Sequence, residues 1–391
     1  MKVLHALIAM GLATASAWAV YAPIPETAKG RALTATVAAS VLHDSNIFGA
    51  PNNEIDSMVY RVAPSLSFNS SLSDQTFFSA GYGVTWDHVA DRPGKRNLFS
   101  HAVNARLAHA FSPQTSIDLS DSYQIARNPE SLLAGVPLNT DQSFKSNQLD
   151  GRLVTSASER LGFTFKGRNI TFDYENAVLA ASLDRQETLL GASADFRLNP
   201  ATKLLGEYRY QTIEYDRAGG LKDKDSHFLL AGVDYTAGPR LAVNGRVGLE
   251  NRRRRGAPDE DAPYAELSGR YAYGEISFLS AGYVLTFEET SNVALYTDTK
   301  VNRFFVNVQH AVTPTLVVSG LFNYEPSTLQ GRPGVSPDRD ETTLRTGGAI
   351  TYLAARNWSL SATIDWDNVD SDDASRDYDR TRVGLSGRYV F

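Results

Sequence analysis

Cysteine is absent from all 391 residues, which removes disulfide frameworks, thiolate metal sites and cysteine nucleophiles together. Methionine is scarce, at 3, and no internal run approaches the ~18 consecutive apolar residues that a membrane-spanning helix needs. Positive charge is not in excess: the formal net charge is -6, which speaks against a nucleic-acid partner, whose binding domain would be basic. Catalytic signatures are missing too. No HExxH, GxSxG or glycine-rich phosphate loop occurs. His43-Asp44-Ser45 sets three triad residue types in a row, yet adjacent strand residues point to opposite faces and cannot form a relay by themselves. The acidic tract Asp370-Ser371-Asp372-Asp373 lacks the glycine and spacing of a calcium loop. No enzyme activity, metal or cofactor is expected.

What is present begins with an export signal. Met1-Lys2, the apolar Val3 to Met10 with Leu12, and the small-x-small Ala17-Trp18-Ala19 predict a cleaved signal peptide over 1–19. A short periplasmic segment, 20–32, would then lead into one domain, 33–391. Within that domain apolar and polar residues alternate. Phe78, Ala80, Tyr82, Val84 and Trp86 interleave with Ser79, Gly81, Gly83, Thr85 and Asp87, and Trp358 to Asp367 repeats the pattern. Successive strand side chains point to opposite faces, so these are strands that meet two solvents.

A soluble sandwich also alternates, and the turns decide between the two. Short turn signals fall at Ser73-Asp74, Ser112-Pro113, Ala157-Ser158, Asn199-Pro200, Gly238-Pro239, Gly274-Glu275, Thr313-Pro314 and Arg356-Asn357. Long polar stretches lie between them, such as Gly49 to Ser57, Arg252 to Pro263 and Pro326 to Asp340. Short turns alternating with long loops predict an all-β transmembrane barrel of the outer-membrane type, with short periplasmic turns and long extracellular loops. The count comes to about 18 strands, or ~16 if the stretch from Arg160 to Arg197, broken by Lys166-Gly167-Arg168, is misread.

With the apolar row toward lipid, the polar row lines a lumen. Candidate lumen-facing residues are Arg106, Arg152, Arg209, Arg246, Arg303, Arg345, Glu207 and Asp365. They would make either a water-filled path or a wall of cross-strand ion pairs. Arg252 to Arg255 reads as a solvated loop or as a contact for lipopolysaccharide phosphates at the outer mouth. Expected partners are outer-membrane lipid and lipopolysaccharide.

Two short stretches carry resemblances. The last strand, with Val383, Leu385, Tyr389 and Phe391 on one face, resembles the C-terminal signature of outer-membrane barrels. That implies recognition of Tyr389 and Phe391 by the barrel-assembly machinery. His43-Asp44-Ser45-Asn46-Ile47-Phe48 resembles the YDSNIF motif of a β-barrel porin family that includes EpsL-like proteins of exopolysaccharide gene clusters, with His43 in place of Tyr and Asp44, Ser45 and Asn46 as the matching core. The resemblance implies a passive outer-membrane conduit for polysaccharide export, with the polysaccharide as substrate and a periplasmic polysaccharide export protein as a further partner. The alternatives are a general or substrate-specific porin for small-solute uptake and a structural or adhesive barrel. An inward-folded loop would favour the small-solute porin, and an open bore would favour export.

Overall fold

The computed structural model describes residues 32–127, 143–217, 222–254, 259–290, 295–374 and 376–391. The expected signal peptide and residues 20–31 lie outside them. The strands in chain order are β1 (Leu33–Asp44), β2 (Ser57–Ser73), β3 (Thr76–Val89), β4 (Asn97–Ser112), β5 (Thr115–Ala126), β6 (Phe144–Ser156), β7 (Leu161–Tyr174), β8 (Arg185–Asn199) and β9 (Thr202–Tyr215). They continue with β10 (Lys224–Ala237), β11 (Leu241–Arg254), β12 (Glu260–Ala272), β13 (Phe278–Glu288), β14 (Tyr296–Thr313), β15 (Leu316–Gly331), β16 (Arg339–Tyr352), β17 (Trp358–Ser371) and β18 (Tyr378–Val390). A seven-residue helix, α1 (Ala177–Leu183), lies between β7 and β8.

Every strand pairs antiparallel with its sequence neighbours, and β1 also pairs with β18, setting Val37 opposite Tyr389 and Val41 opposite Leu385. The 18-stranded sheet therefore closes on itself, leaving no row of unpaired backbone groups to meet lipid. Its faces are inverted relative to a soluble protein. Leu229 is 72% exposed and Leu385 68%, while Glu207, Arg209, Glu250 and Arg252 are buried on the inner wall. A continuous exposed apolar face of this size is stable only against lipid. Rings such as Trp358 and Tyr389 (5.0 Å between centroids) and Tyr283 and Phe304 (4.7 Å) stand on that outer face, as girdle aromatics do.

Connections after even-numbered strands are the eight short turns read from sequence, and those after odd-numbered strands are the long loops. Two expectations are corrected. Lys166-Gly167-Arg168 does not break a strand: β7 runs straight through it, with both cations inward and Gly167 outward. The real interruption is Glu175 to Asp184, where α1 sits. The strands also run further at the long-loop end than alternation indicated, β11 reaching Arg254 and β15 reaching Gly331. Beyond the lipid both faces meet water, so the alternating signal fades while the backbone ladder continues.

Candidate functional site: the lumen wall and its mouth

Inward side chains are set by strand parity, and the wall they form is a ladder of ion pairs between adjacent strands. Arg61 on β2 donates to Asp87 on β3 (2.6 and 2.9 Å), Arg106 on β4 to Asp118 on β5 (2.8 Å), and Arg168 on β7 to Asp150 on β6 (2.6 Å). Arg382 on β18 donates to Asp367 on β17 (2.8 Å). Arg303 on β14 bridges Glu288 (3.1 Å) and Glu325, one on each neighbouring strand.

Mid-wall the ladder condenses into a cluster. Glu207 on β9 accepts from Arg209 (2.8 and 3.1 Å) and from Lys166 (3.1 Å), which reaches it from β7. That reach passes over β8, where the register partner of Lys166 is Gly191, which has no side chain to obstruct it. Arg209 continues to Tyr264 (3.2 Å) and Glu266 (3.3 Å) on β12, and Arg246 on β11 pairs with Asp234 (2.7 Å). Glu207 and Arg209, both shielded from water, would be costly if either went unpaired, and here each has partners.

At the long-loop end, loops fold inward. Asn176 caps α1, its side chain accepting from Val178 and Leu179 backbone N–H groups, and Leu179, Ala180 and Leu183 pack against the inward rings of Phe144 and Tyr174. Lys222, from the β9–β10 connection, donates to the Ser182 carbonyl of the helix. The β13–β14 connection sends in Glu289, fully enclosed, which accepts from Lys224 (2.8 Å), Arg254 (3.1 and 3.3 Å) and the Tyr215 hydroxyl (2.7 Å). Asp298 adds contacts to Arg254 (3.1 Å) and Arg252 (3.3 Å). Burial alone would raise the Glu289 carboxyl, but Lys224 and Arg254 outweigh it and hold that group well below the usual carboxylate range. Lys222 goes the other way: burial is the largest influence and lowers its ammonium to about 8, with Glu289 opposing.

The β1–β2 connection also turns in. Ile47 packs on the inward residues Val59, Val89 and Leu98. Asp44 accepts from Arg380 of β18 (2.9 and 2.5 Å), and Ser45 exchanges hydrogen bonds with Thr381, its N–H to the carbonyl (3.0 Å) and its Oγ from the N–H (2.8 Å). Asn46, fully buried, staples the loop through Ala50, donating to its carbonyl (2.8 Å) and accepting from its N–H (2.9 Å). The Asp-Ser-Asn run is thus a clasp across the seam where the barrel closes.

Of the residues expected in the lumen, Glu207, Arg209 and Arg246 meet in the central cluster, Arg106 and Arg303 sit in ladder pairs, and Arg152 lines a cavity beside the cluster. Arg345 and Asp365 are inward on β16 and β17, in register with Asp367 and Gly347. Tyr389 and Phe391 are outward, edge to face at 4.6 Å. Sequence reasoning missed Lys166, Lys224, Arg252, Arg254, Glu289 and Asp298. The Arg252–Arg255 run is corrected in part: Arg252 and Arg254 belong to the inner wall and only Arg253 of the described residues faces out.

A family profile described as "Putative beta-barrel porin 2" matches residues 32–390. The chain belongs to this porin family. Among solved structures, OpdK of Pseudomonas aeruginosa with vanillate is similar to this porin at TM-score 0.51 and 10% identity, covering 92% of this chain and 99% of that one. OccK2 (OpdF) of Pseudomonas aeruginosa gives TM-score 0.50 and 12% identity, over 92% and 98%. These likenesses establish a shared barrel fold. No curated protein matches. The expectation of a polysaccharide-export conduit is overturned. The barrels this porin resembles are of the Opd and Occ type, one crystallised with a small molecule, and α1 and the β1–β2 connection fold inward at the mouth where export called for an open bore.

Proposed function

We propose that this porin is an outer-membrane channel for small polar solutes. The observation that carries the reading is the inward folding of α1 and of the β1–β2 and β13–β14 connections onto a wall already lined by paired charges. An inward-folded loop narrows a barrel of this size to a passage for small molecules, and fixed charges along it select among them. Among the described residues the charge ladder offers no constellation of nucleophile, base and oxyanion donors, which favours a channel over a catalyst.

The test is reconstitution of the folded barrel. In planar bilayers it should open discrete ion-conducting steps, and in liposomes it should admit small sugars and amino acids while excluding dextran-sized polymers. Absence of conductance, or swelling rates that do not depend on solute size, would refute the proposal.

A further inference from the structure

One part of the inner wall breaks the pairing rule. On β8 and β9, Arg197 and Lys203 are direct cross-strand partners on the inward face. Like charges opposite one another in an antiparallel pair destabilise it. Arg160, on the turn after β6, joins them, since the Arg197 backbone N–H donates to its carbonyl at 2.8 Å. None of these three side chains forms an ion pair with any described residue, whereas Arg61, Arg106, Arg168, Arg303 and Arg382 each have a carboxylate on an adjacent strand. The three cations border a cavity of about 140 Å³ let into the wall between the short-turn mouth and the central cluster.

The acids around that cavity do not relieve the cations. Glu207 is engaged by Lys166 and Arg209, and Asp234 by Arg246. Asp195 is turned onto Gly162, so closely that a Cβ added there would lie 2.8 Å from its Oδ1, and Glu159 sits on the turn. Cations also stand opposite one another at Arg152 and Lys166 and at Lys224 and Arg254, but there Glu207 and Glu289 supply the counter-charge. Arg197 and Lys203 are set apart by an uncompensated conflict, which marks a functional position. An anion seated between Arg197 and Lys203 would resolve it.

We propose that this cavity is a binding subsite, at the short-turn end of the lumen, for the phosphate or carboxylate group of a permeating solute, with Arg197, Lys203 and Arg160 as its recognising cations. The proposal rests on the channel reading for the solute's route but not for the site itself. Arg160 and Arg197 are exposed to lumen water and Lys203 is half-buried, so all three can be reached by a solute, and binding is rapid and weakened by salt.

The experiment uses the full folded barrel in planar bilayers. Inorganic phosphate or succinate is added in a chloride background, and the current block is compared with that of Arg197→Gln/Lys203→Gln. Wild type should be blocked, and the double variant should need about tenfold more anion for the same block, from the loss of charge-assisted hydrogen bonds, while its chloride conductance persists. Asp195→Asn should strengthen the block, which a merely structural role for this segment would not produce. A stronger block by phosphate than by succinate assigns the site to phosphate-bearing solutes, and the reverse order to carboxylates. Equal block in wild type and double variant, or normal conductance with no block by either anion, overturns the proposal. If wild type conducts nothing, the channel reading is what fails. The subsite is then judged by calorimetry of the folded barrel in detergent, where phosphate and succinate giving no heat, or the same affinity for both proteins, overturns it.

Discussion

Replacing Glu289 with Ala should unfasten the mouth without opening the wall. The carboxylate is the shared acceptor for Lys224 at 2.8 Å, Arg254 at 3.1 Å and Tyr215 at 2.7 Å, all of them buried. Removing one member of a buried charge set costs about 3–5 kcal/mol, because the remaining charges stay desolvated. Here Asp298 still lies 3.1 Å from Arg254 and 3.9 Å from Lys224, so the lower end, about 3 kcal/mol, applies. That energy falls on one connection and not on the ladder, whose backbone bonds are untouched, so it appears as local opening. At 1.4 kcal/mol per tenfold, the open population of the β13–β14 connection rises about a hundredfold. Hydrogen exchange at residues 289–290 and 295–299 should accelerate accordingly, with a larger and noisier single-channel current. Unaltered exchange there would refute the reasoning. The pH dependence has a definite sign. A carboxyl held below its unfolded value of 4.5 contributes stability that is fully present above that pH and is lost as pH falls below it toward the depressed native value. The mouth should therefore stay fastened at pH 5 and loosen only in stronger acid.

Other perturbations follow from the same geometry. Lys222, lowered to about 8 from 10.5, should lose its charge across pH 7–9, making the channel less anion-selective over that range. Because the unfolded connection holds the proton up to higher pH, docking should strengthen as pH rises from about 8 to 10.5, and Lys222→Met should abolish both effects in reversal-potential and exchange measurements. Asn46→Ala leaves the Ala50 N–H and carbonyl without their partner, at about 1–3 kcal/mol, and should speed proteolytic nicking between 45 and 56 while the barrel stays folded; an unchanged nicking rate would contradict the clasp. Leu385→Arg puts a charge into the outward apolar row opposite Val41 and Ala362, and should lower folding stability in lipid by about 2–4 kcal/mol, read by urea titration. No change there would mean that the outer face does not meet lipid.

The wall was legible in the sequence because its signal is local. Leu385 out and Arg382 in follow from period two alone, and Asn-Pro, Gly-Pro and Thr-Pro dipeptides mark the short turns whatever surrounds them. Glu207 and Arg209, two residues apart on one strand, are likewise bound to share a face. Lys166 was not legible as their partner, since its reach depends on Gly191 being the residue in register on the intervening strand. Helix α1 escaped for another reason: seven residues show too few turns for a helical period, and its stability comes from Phe144 and Tyr174, which belong to other segments.

The four arginines from 252 to 255 mark where sequence reasoning stopped short of what it could have reached. Where both faces of a strand are wet, alternation no longer says which residues point inward, and a run of one residue type hides the parity altogether. The parity is still fixed by the last apolar anchor, however, because the ladder does not slip between Leu249 and Arg254. Leu249 points to lipid, so Glu250, Arg252 and Arg254 point inward, as their burial records. Carried outward in the same way from Leu190, the rule places Thr188 and Gln186 outside and Glu187 and Arg185 within. Where a barrel strand outruns the membrane, its mouth chemistry is read by counting from the girdle and not by looking for a new pattern.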